Sequence, residues 1–313
     1  MLRRVLFIAE LLCCALLMAC GATPSADETT TSPHPPPGRR APQAVSSGDV
    51  IVAALRASQV ENDPIAALAH VERALRQIPE QKELVWLASR LCGDVPRCEP
   101  EVYESRLRKL DPGNGVVWAG PLMRAQARDD RAAEIHILEA LSREDRFDVY
   151  WNTLLSQGAL ALSAQATAPP PKLLNGPLTN AINDVSAWLS ALAVPSLTAI
   201  AKSCSEERTR DVQIAERCRN VARVLQQGDT YAAEAVGLGI AQRSVAPDSP
   251  SMIALTERAA VVSYQHQTAR DILGEQVERE KMSAQLIELM KKLRREQDVS
   301  LAVLRWAGVP LTP

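Results

Sequence analysis

Apolar residues recur at helical spacing along most of this chain of 313 residues. Runs of alternating apolar and polar residues, which are typical of strands, are rare, whereas alanine and leucine are abundant. The pattern is clear after Asp63-Pro64, a pair that predicts a helix start. The apolar face of that helix consists of Ile65, Leu68, Val71, Leu75 and Ile78. The chain is therefore predicted to be all-α.

The second half of the chain continues the helical pattern with longer elements. Residues 178–192 predict a helix that ends at Val194-Pro195, and residues 211–226 and 231–243 predict a helical hairpin. Residues 251–306 contain no proline and predict one long amphipathic C-terminal helix. Its apolar stripe, which Glu296 and Gln297 interrupt, consists of Met282, Leu286, Leu289, Met290, Leu293, Leu301 and Leu304. Because heptads are not sustained, we expect this helix to cap its own chain rather than pair with a second copy, which favours a monomer over a dimer.

A repeat runs through the first predicted helices. Ile51, Leu84 and Trp118 follow one another at spacings of 33 and 34 residues. This spacing, together with the terminator Asp111-Pro112-Gly113-Asn114, resembles the tetratricopeptide repeat, a helix–turn–helix unit of about 34 residues. The resemblance implies a helical hairpin array, an α-solenoid, across residues 49–166. The Gly and Tyr of the usual first helix are absent, so the repeats are degenerate.

The first residues have the organisation of a secretory signal. Two arginines precede an apolar run over residues 5–18, which closes with Leu17-Met18-Ala19-Cys20-Gly21. This closing sequence resembles the lipobox of bacterial lipoproteins. The resemblance implies removal of residues 1–19, acylation of Cys20, and anchoring in the outer membrane facing the periplasm, since glycine rather than aspartate follows the cysteine. The alternatives are plain secretion and an uncleaved membrane anchor, which Glu10 within the run disfavours.

The remaining chain divides by composition. Residues 20–48 are rich in proline, serine and threonine and predict a tether that joins the lipid to the folded part. Degenerate helical repeats are expected at 49–166, further helical hairpins at 172–250, and a long C-terminal helical segment at 251–313. The tether allows the folded part to stand away from the membrane.

Four cysteines follow the lipidation site: Cys92, Cys98, Cys204 and Cys218. Four cysteines allow three pairings, and an oxidising envelope with proximity in sequence favours Cys92–Cys98 and Cys204–Cys218. A zinc site is the alternative, but neither spacing matches the short cysteine knuckle that such sites use. We therefore predict two disulfides.

The sequence contains no pattern for catalysis, cofactor binding or metal binding. His34, His70, His136 and His266 are isolated from one another and have no cysteine at ligand spacing. Neither a serine nucleophile elbow nor a phosphate-binding glycine loop is present. The charges are balanced, with 35 Lys and Arg against 37 Asp and Glu, which gives no basic field for nucleic acid. We expect no cofactor, no metal and no nucleic-acid partner.

The predicted location in the envelope and the predicted helical fold together indicate a protein-binding function. Paired helices offer an extended surface, and the tryptophans are expected to pack between helices, with Trp306 the most exposed. We predict a non-catalytic scaffold or adaptor that is lipid-anchored in the envelope and binds a protein partner. One alternative is a hydrolase of a peptidoglycan-type polymer, for which a separated glutamate in a groove lined by Trp and Tyr would be the sign. The other is a purely structural envelope lipoprotein.

Overall fold

The described part of the chain is all-α, as predicted. The structure, a computed structural model, describes residues 46–166, 177–275 and 279–313. The side chains of residues 274–280 are not described. Within these ranges the chain forms thirteen α-helices and two short 3₁₀ turns, and no β-strand is present. The α-helices are α1 Ser47–Gln59, α2 Pro64–Gln77, α3 Lys82–Cys92, α4 Pro100–Leu110, α5 Ala119–Ala127, α6 Arg131–Ser142, α7 Trp151–Ala164, α8 Pro177–Ser203, α9 Val212–Gln226, α10 Tyr231–Arg243, α11 Pro250–Glu275, α12 Arg279–Lys292 and α13 Glu296–Trp306.

Local capping residues explain several helix starts. Asp63, Asp211 and Thr230 each accept a hydrogen bond from a backbone N–H two or three residues further along, at the starts of α2, α9 and α10. Such a bond satisfies one of the N–H groups that the first turn of a helix leaves without a partner. The predicted bounds of α9 and α10 are confirmed to within one residue.

Helix α8 continues through Val194-Pro195, so the predicted stop there was wrong. Pro195 has no N–H to donate to the preceding turn, yet α8 ends only at Ser203. Helices α5, α7, α10 and α12 pack against α8 and hold it along its length, while the proline itself is exposed. Among the described helices, α8 alone is long and apolar enough to cross a membrane, and 44% of its most apolar stretch is buried within the fold.

The predicted single C-terminal helix was also wrong, because α12 and α13 are separate helices. The chain turns at residues 293–295, where Arg294 pairs with Asp148 and Arg295 donates to two backbone carbonyls at the end of α9. These bonds draw the chain out of the helical path, and α13 then packs against α11. The contacts that cause the turn join residues that are distant along the chain, and such contacts cannot be predicted from helical periodicity.

Successive helices pair as hairpins around a continuous core. Helix α1 packs against α2, α3 against α4, α5 against α6, and α9 against α10. Helix α1 also packs against α7, and α6 against α9. Most apolar residues of these helices join one core, which includes Ile51, Leu84, Leu122, Leu154 and Val221. Tyr231 and Leu238 of α10 form a smaller cluster with Val262 of α11. The long-range contacts differ from those of an ideal solenoid, in which each unit contacts only its neighbours.

The structure brings the sulfur atoms of both predicted cysteine pairs to bonding distance. The separation is 2.01 Å for Cys92 and Cys98 and 1.97 Å for Cys204 and Cys218. The first pair closes the turn between α3 and α4, and the second joins the segment after α8 to α9. These distances are compatible with the two predicted disulfides.

Candidate functional site

The residues that the sequence singled out are dispersed. Cys20 and His34 lie outside the described residues, and His70, His136 and His266 lie on α2, α6 and α11. Across residues 46–166, 177–275 and 279–313, no three His, Cys, Asp or Glu side chains are grouped so as to hold a metal ion. The candidate site is therefore found from the shape of the fold and not from a motif.

A cavity of about 630 Å³ lies between α8 and α11, and residues of α7, α10, α12 and α13 complete its walls. The larger apolar side chains that line it are Trp151, Leu155, Ile182, Val194, Leu197 and Met290. The polar side chains that line it are Asn183, Ser186, Ser190, Thr230, Tyr231, His266, Arg270 and Glu296. A concave site of this size that combines apolar walls with convergent polar groups is typical of small-molecule binding.

Glu296, the first residue of α13, carries the carboxylate of the cavity. One of its carboxylate oxygens accepts a hydrogen bond of 2.8 Å from the backbone N–H of Tyr231, the first residue of α10. Burial raises the pKa of Glu296 to about 7, although that N–H and the positive charge of Arg270 act to lower it. The other carboxylate oxygen, Oε1, makes no hydrogen bond with a described residue, so it is available to a ligand.

Three further polar side chains line the same cavity as this carboxylate. The rings of His266 and Tyr231 lie 4.5 Å apart, centroid to centroid, at an angle of 52°. Burial lowers the pKa of His266, and the charge of Arg270 lowers it further, so the imidazole is neutral at pH 7. Burial raises the pKa of Tyr231 to about 12, so the phenol is also neutral. Arg270 is exposed and forms no ion pair with a described residue.

A buried polar network lies behind the cavity wall. Asp111 accepts hydrogen bonds from the Tyr150 hydroxyl at 2.8 Å and from Arg146 at 2.6 Å, and the Asn114 amide donates to the carbonyl of Asp148 at 3.0 Å. Burial acts to raise the pKa of Asp111, but the donors Tyr150 and Asn114 and the charge of Arg146 hold it below its usual value. Tyr150 has a φ of 59°, a conformation that a bulky residue rarely adopts, and these bonds hold it there.

Asp229 connects this network to the cavity. Its side chain is fully buried, and its carboxylate accepts hydrogen bonds from the backbone N–H groups of Val149 at 2.9 Å and Trp151 at 2.8 Å, two residues that line the cavity. Its carbonyl accepts the backbone N–H of Glu296 at 2.8 Å. Burial raises the pKa of Asp229 to about 7, and the charge of Asp148 acts in the same direction. Asp229 thus fixes the position of the cavity wall.

A separate apolar groove of about 490 Å³ lies on the surface between α12 and α13. Its lining residues are Lys281, Ala284, Gln285, Glu288, Leu289, Lys292, Ala302 and Trp306, and none of them lines the cavity. Trp306 is 53% exposed. We call this surface the Trp306 groove. An exposed tryptophan beside an apolar groove is typical of a contact with another protein.

The prediction for the tryptophans is confirmed in its main points. Trp86, Trp151 and Trp188 are buried, Trp118 is half-buried, and Trp306 is exposed. Trp151 nevertheless contributes to the cavity wall, so packing in the core and lining a site are not exclusive.

The sequence did not predict the cavity or the position of Glu296. The residues that meet there come from six helices that are distant along the chain. One signal was present: Glu296 and Gln297 interrupt the apolar stripe of the C-terminal region. In the structure Gln297 is buried and donates to the carbonyl of Thr230 at 3.0 Å, so the interruption marks a polar contact inside the fold.

No protein-family model matches the chain, and neither a curated protein nor a solved structure matches it. The function proposed below therefore rests on the residues and their geometry.

Proposed function

We propose that the chain is a non-catalytic scaffold or adaptor of the bacterial cell envelope, anchored through lipid on Cys20 and binding a protein partner through the Trp306 groove. The proposed location in the envelope is supported by the lipobox-like sequence ending at Cys20-Gly21, which lies outside the described residues. Gly21 supports an outer-membrane position facing the periplasm. The observation that supports the binding role is the exposure of Trp306 beside an apolar groove.

The Trp306 groove has the composition of a partner contact. Leu289 is only half-buried between α12 and α13, and the exposed indole of Trp306 extends the same apolar surface. A few large aromatic residues commonly supply most of the binding energy of a protein interface. Two lysines, Lys281 and Lys292, line the groove together with Glu288, which pairs with Lys291. We therefore expect the partner segment to present an apolar side chain with an acidic residue beside it.

We also propose that the hairpins α1–α2, α3–α4 and α5–α6 are diverged repeats of the tetratricopeptide type. The support is the burial of residues at the repeat spacing, since Ile51 and Leu84 are fully buried in the common core and the half-buried Trp118 packs against it. The turn at Asp111–Asn114 also supports it, because its polar side chains bond forward to Tyr150 and Asp148 and so join one hairpin to the next part of the chain. A surface built from paired helices suits a protein-binding role.

The test is in-cell crosslinking of the tagged full-length protein, followed by mass spectrometry of the proteins that co-purify. We compare the wild type with Trp306→Ala and with the matched control Val212→Ala, which removes an apolar side chain that is 78% exposed on α9. The expected result is one partner enriched near stoichiometry with the wild type and with the control, and lost with Trp306→Ala.

Two outcomes contradict this proposal. Equal recovery of the same partner with Trp306→Ala shows that the groove is not the contact. Recovery of nothing but abundant outer-membrane proteins with all three chains shows that there is no specific partner. Membrane fractionation of each variant confirms that all three reach the same compartment, so a loss of partner is not a loss of localisation.

A second candidate function is hydrolysis of a peptidoglycan-type polymer, which we propose because of the environment of Glu296. This carboxyl lies in a cavity with Trp151 and Tyr231, and its raised pKa of about 7 suits a general acid near neutral pH. Among the described residues that line the cavity, Glu296 is the one carboxylate, so the described lining offers a single general acid and not a pair of carboxylates. Release of soluble fragments from purified peptidoglycan by the wild type, and its loss in Glu296→Gln, is the expected result for this function, and absence of release refutes it.

A further inference from the structure

We propose that the cavity between α8 and α11 binds a small zwitterion with an apolar side chain, of the kind that an α-amino acid or a short apolar peptide presents. In this site Arg270 receives the carboxylate, Glu296 receives the ammonium group, and the apolar wall receives the side chain. This inference goes beyond the scaffold function, and it concerns residues that the Trp306 groove does not share.

Two opposite charges line the cavity, one on Arg270 and the other on Glu296 above its pKa of about 7. Arg270 on α11 forms no ion pair with a described residue, and Oε1 of Glu296 on α13 makes no hydrogen bond with one. The two side chains do not form a salt bridge with each other, although both line the same cavity. A ligand that carries both charges can therefore lie between them and satisfy both.

The remaining walls of the cavity combine an apolar surface with two hydroxyl groups. Leu155, Leu197 and Met290 present an apolar surface that favours an aliphatic or aromatic side chain. Ser186 and Ser190 lie on the same face of α8, four residues apart, and their hydroxyls can serve as donors or acceptors for an amide of a peptide. The volume of about 630 Å³ accommodates one to three residues.

The fold itself holds the Glu296 carboxylate in position. The backbone N–H of Tyr231 holds one oxygen of Glu296, which orients the other oxygen. The neutral His266 ring packs against the Tyr231 ring and closes one side of the site without adding charge. A carboxylate held in this way loses little side-chain freedom when a ligand binds.

Isothermal titration calorimetry of the full-length chain in detergent tests the proposal. The probes are L-leucine, the dipeptide Leu–Leu, and N-acetyl-leucinamide, which has the same side chain without either charge. We expect at least one zwitterion to bind and the blocked compound to bind about tenfold more weakly or less. Tighter binding of L-leucine identifies a free amino acid as the ligand class, and tighter binding of Leu–Leu identifies a peptide.

Substitutions assign the two charges. Arg270→Gln and Glu296→Gln are each expected to weaken binding of the zwitterion by about tenfold or more, because each removes one charge-assisted bond. Arg219→Gln, which removes an exposed arginine on α9, is the control and binds as the wild type does. Arg270 is exposed, so we expect its replacement to leave the fold intact, and its result is decisive even if Glu296→Gln is unstable.

Three results overturn the proposal: no heat of binding with either zwitterion at millimolar concentration, equal affinity for the blocked compound, or unchanged affinity in Arg270→Gln. Trp306→Ala separates this proposal from the scaffold function. That variant is expected to lose the protein partner and to keep the zwitterion, because Trp306 does not line the cavity. Failure of one proposal therefore does not appear as failure of the other.

Discussion

Replacing Asp229 with alanine tests the account of how the cavity wall is held. The carboxylate accepts hydrogen bonds from the backbone N–H groups of Val149 at 2.9 Å and Trp151 at 2.8 Å. Within the described part of the chain, neither N–H group has another acceptor. Leaving a buried donor without a partner costs about 1–3 kcal/mol. Two such donors predict that Asp229→Ala lowers the free energy of unfolding by about 4 kcal/mol at low pH.

The size of this loss depends on pH, and its sign can be worked out. The pKa of Asp229 is raised to about 7 in the fold, so the folded chain binds a proton that the unfolded chain has released between about pH 4 and pH 7. Asp229 therefore makes the wild type less stable as pH rises through this window. The alanine variant has no carboxyl at this position and does not lose stability in this way. The difference in free energy of unfolding between the wild type and the variant is therefore expected to be about 2 kcal/mol smaller near pH 8 than near pH 5.

The assay is urea unfolding followed by far-ultraviolet circular dichroism near pH 5 and near pH 8. Asp184→Ala removes an exposed carboxylate from α8 and serves as the control, with an expected change within about 0.5 kcal/mol at both values. A loss below about 1 kcal/mol for Asp229→Ala near pH 5 shows that the two N–H groups do not depend on this carboxylate. An equal loss at both pH values shows that its pKa is not raised.

Four further changes test other parts of the structure. Cys20→Ser is expected to release the chain from membranes into the soluble periplasmic fraction, and retention contradicts the lipid anchor. Tyr150→Phe removes a buried hydroxyl that donates to the polar network and should lower the free energy of unfolding by about 1–2 kcal/mol in the same urea assay, while no change shows that the network does not depend on it. Replacing Cys204 and Cys218 together with serine should lower stability by about 3 kcal/mol relative to the oxidised chain, and a variant as stable as the oxidised chain means that the bond does not form. Glu296→Gln should make the decrease in the free energy of unfolding between pH 5 and pH 8 about 2 kcal/mol smaller, because a carboxyl whose pKa is raised in the fold destabilises the fold as pH rises. If the free energy of unfolding depends on pH as in the wild type, the pKa of Glu296 is not raised.

The helices that the sequence predicted well are those whose ends are set locally. Helices α9 and α10 begin at side-chain caps on Asp211 and Thr230, and caps act over two or three residues. Pro195 is the contrary case, because its local preference for a helix end is outweighed by the helices that pack on α8. Local rules therefore predict an end only where tertiary packing does not oppose them.

The candidate site could not be predicted because its parts are distant along the chain. Glu296 meets the N–H of Tyr231 across 65 residues, and Arg294 meets Asp148 across 146. No sequence motif spans such distances. The one sign of the site in the sequence was the pair Glu296 and Gln297, which interrupts an apolar stripe. In this fold that interruption marks the start of α13, where Gln297 is buried and donates to the carbonyl of Thr230.

The turn at Arg294 and Arg295 links the two surfaces for which we propose functions. Arg295 donates to the carbonyls of Gln226 and Gly228 and approaches Glu234, which places the start of α13 beside the start of α10. If α12 continued straight, the carboxylate of Glu296 would not reach the cavity, and Ala302 and Trp306 would not lie beside Leu289. One turn therefore creates both the cavity carboxylate and the Trp306 groove. Arg295→Ala is expected to impair both binding assays together, whereas Arg270→Gln and Trp306→Ala each impair one, and this pattern distinguishes a shared structural origin from a shared site.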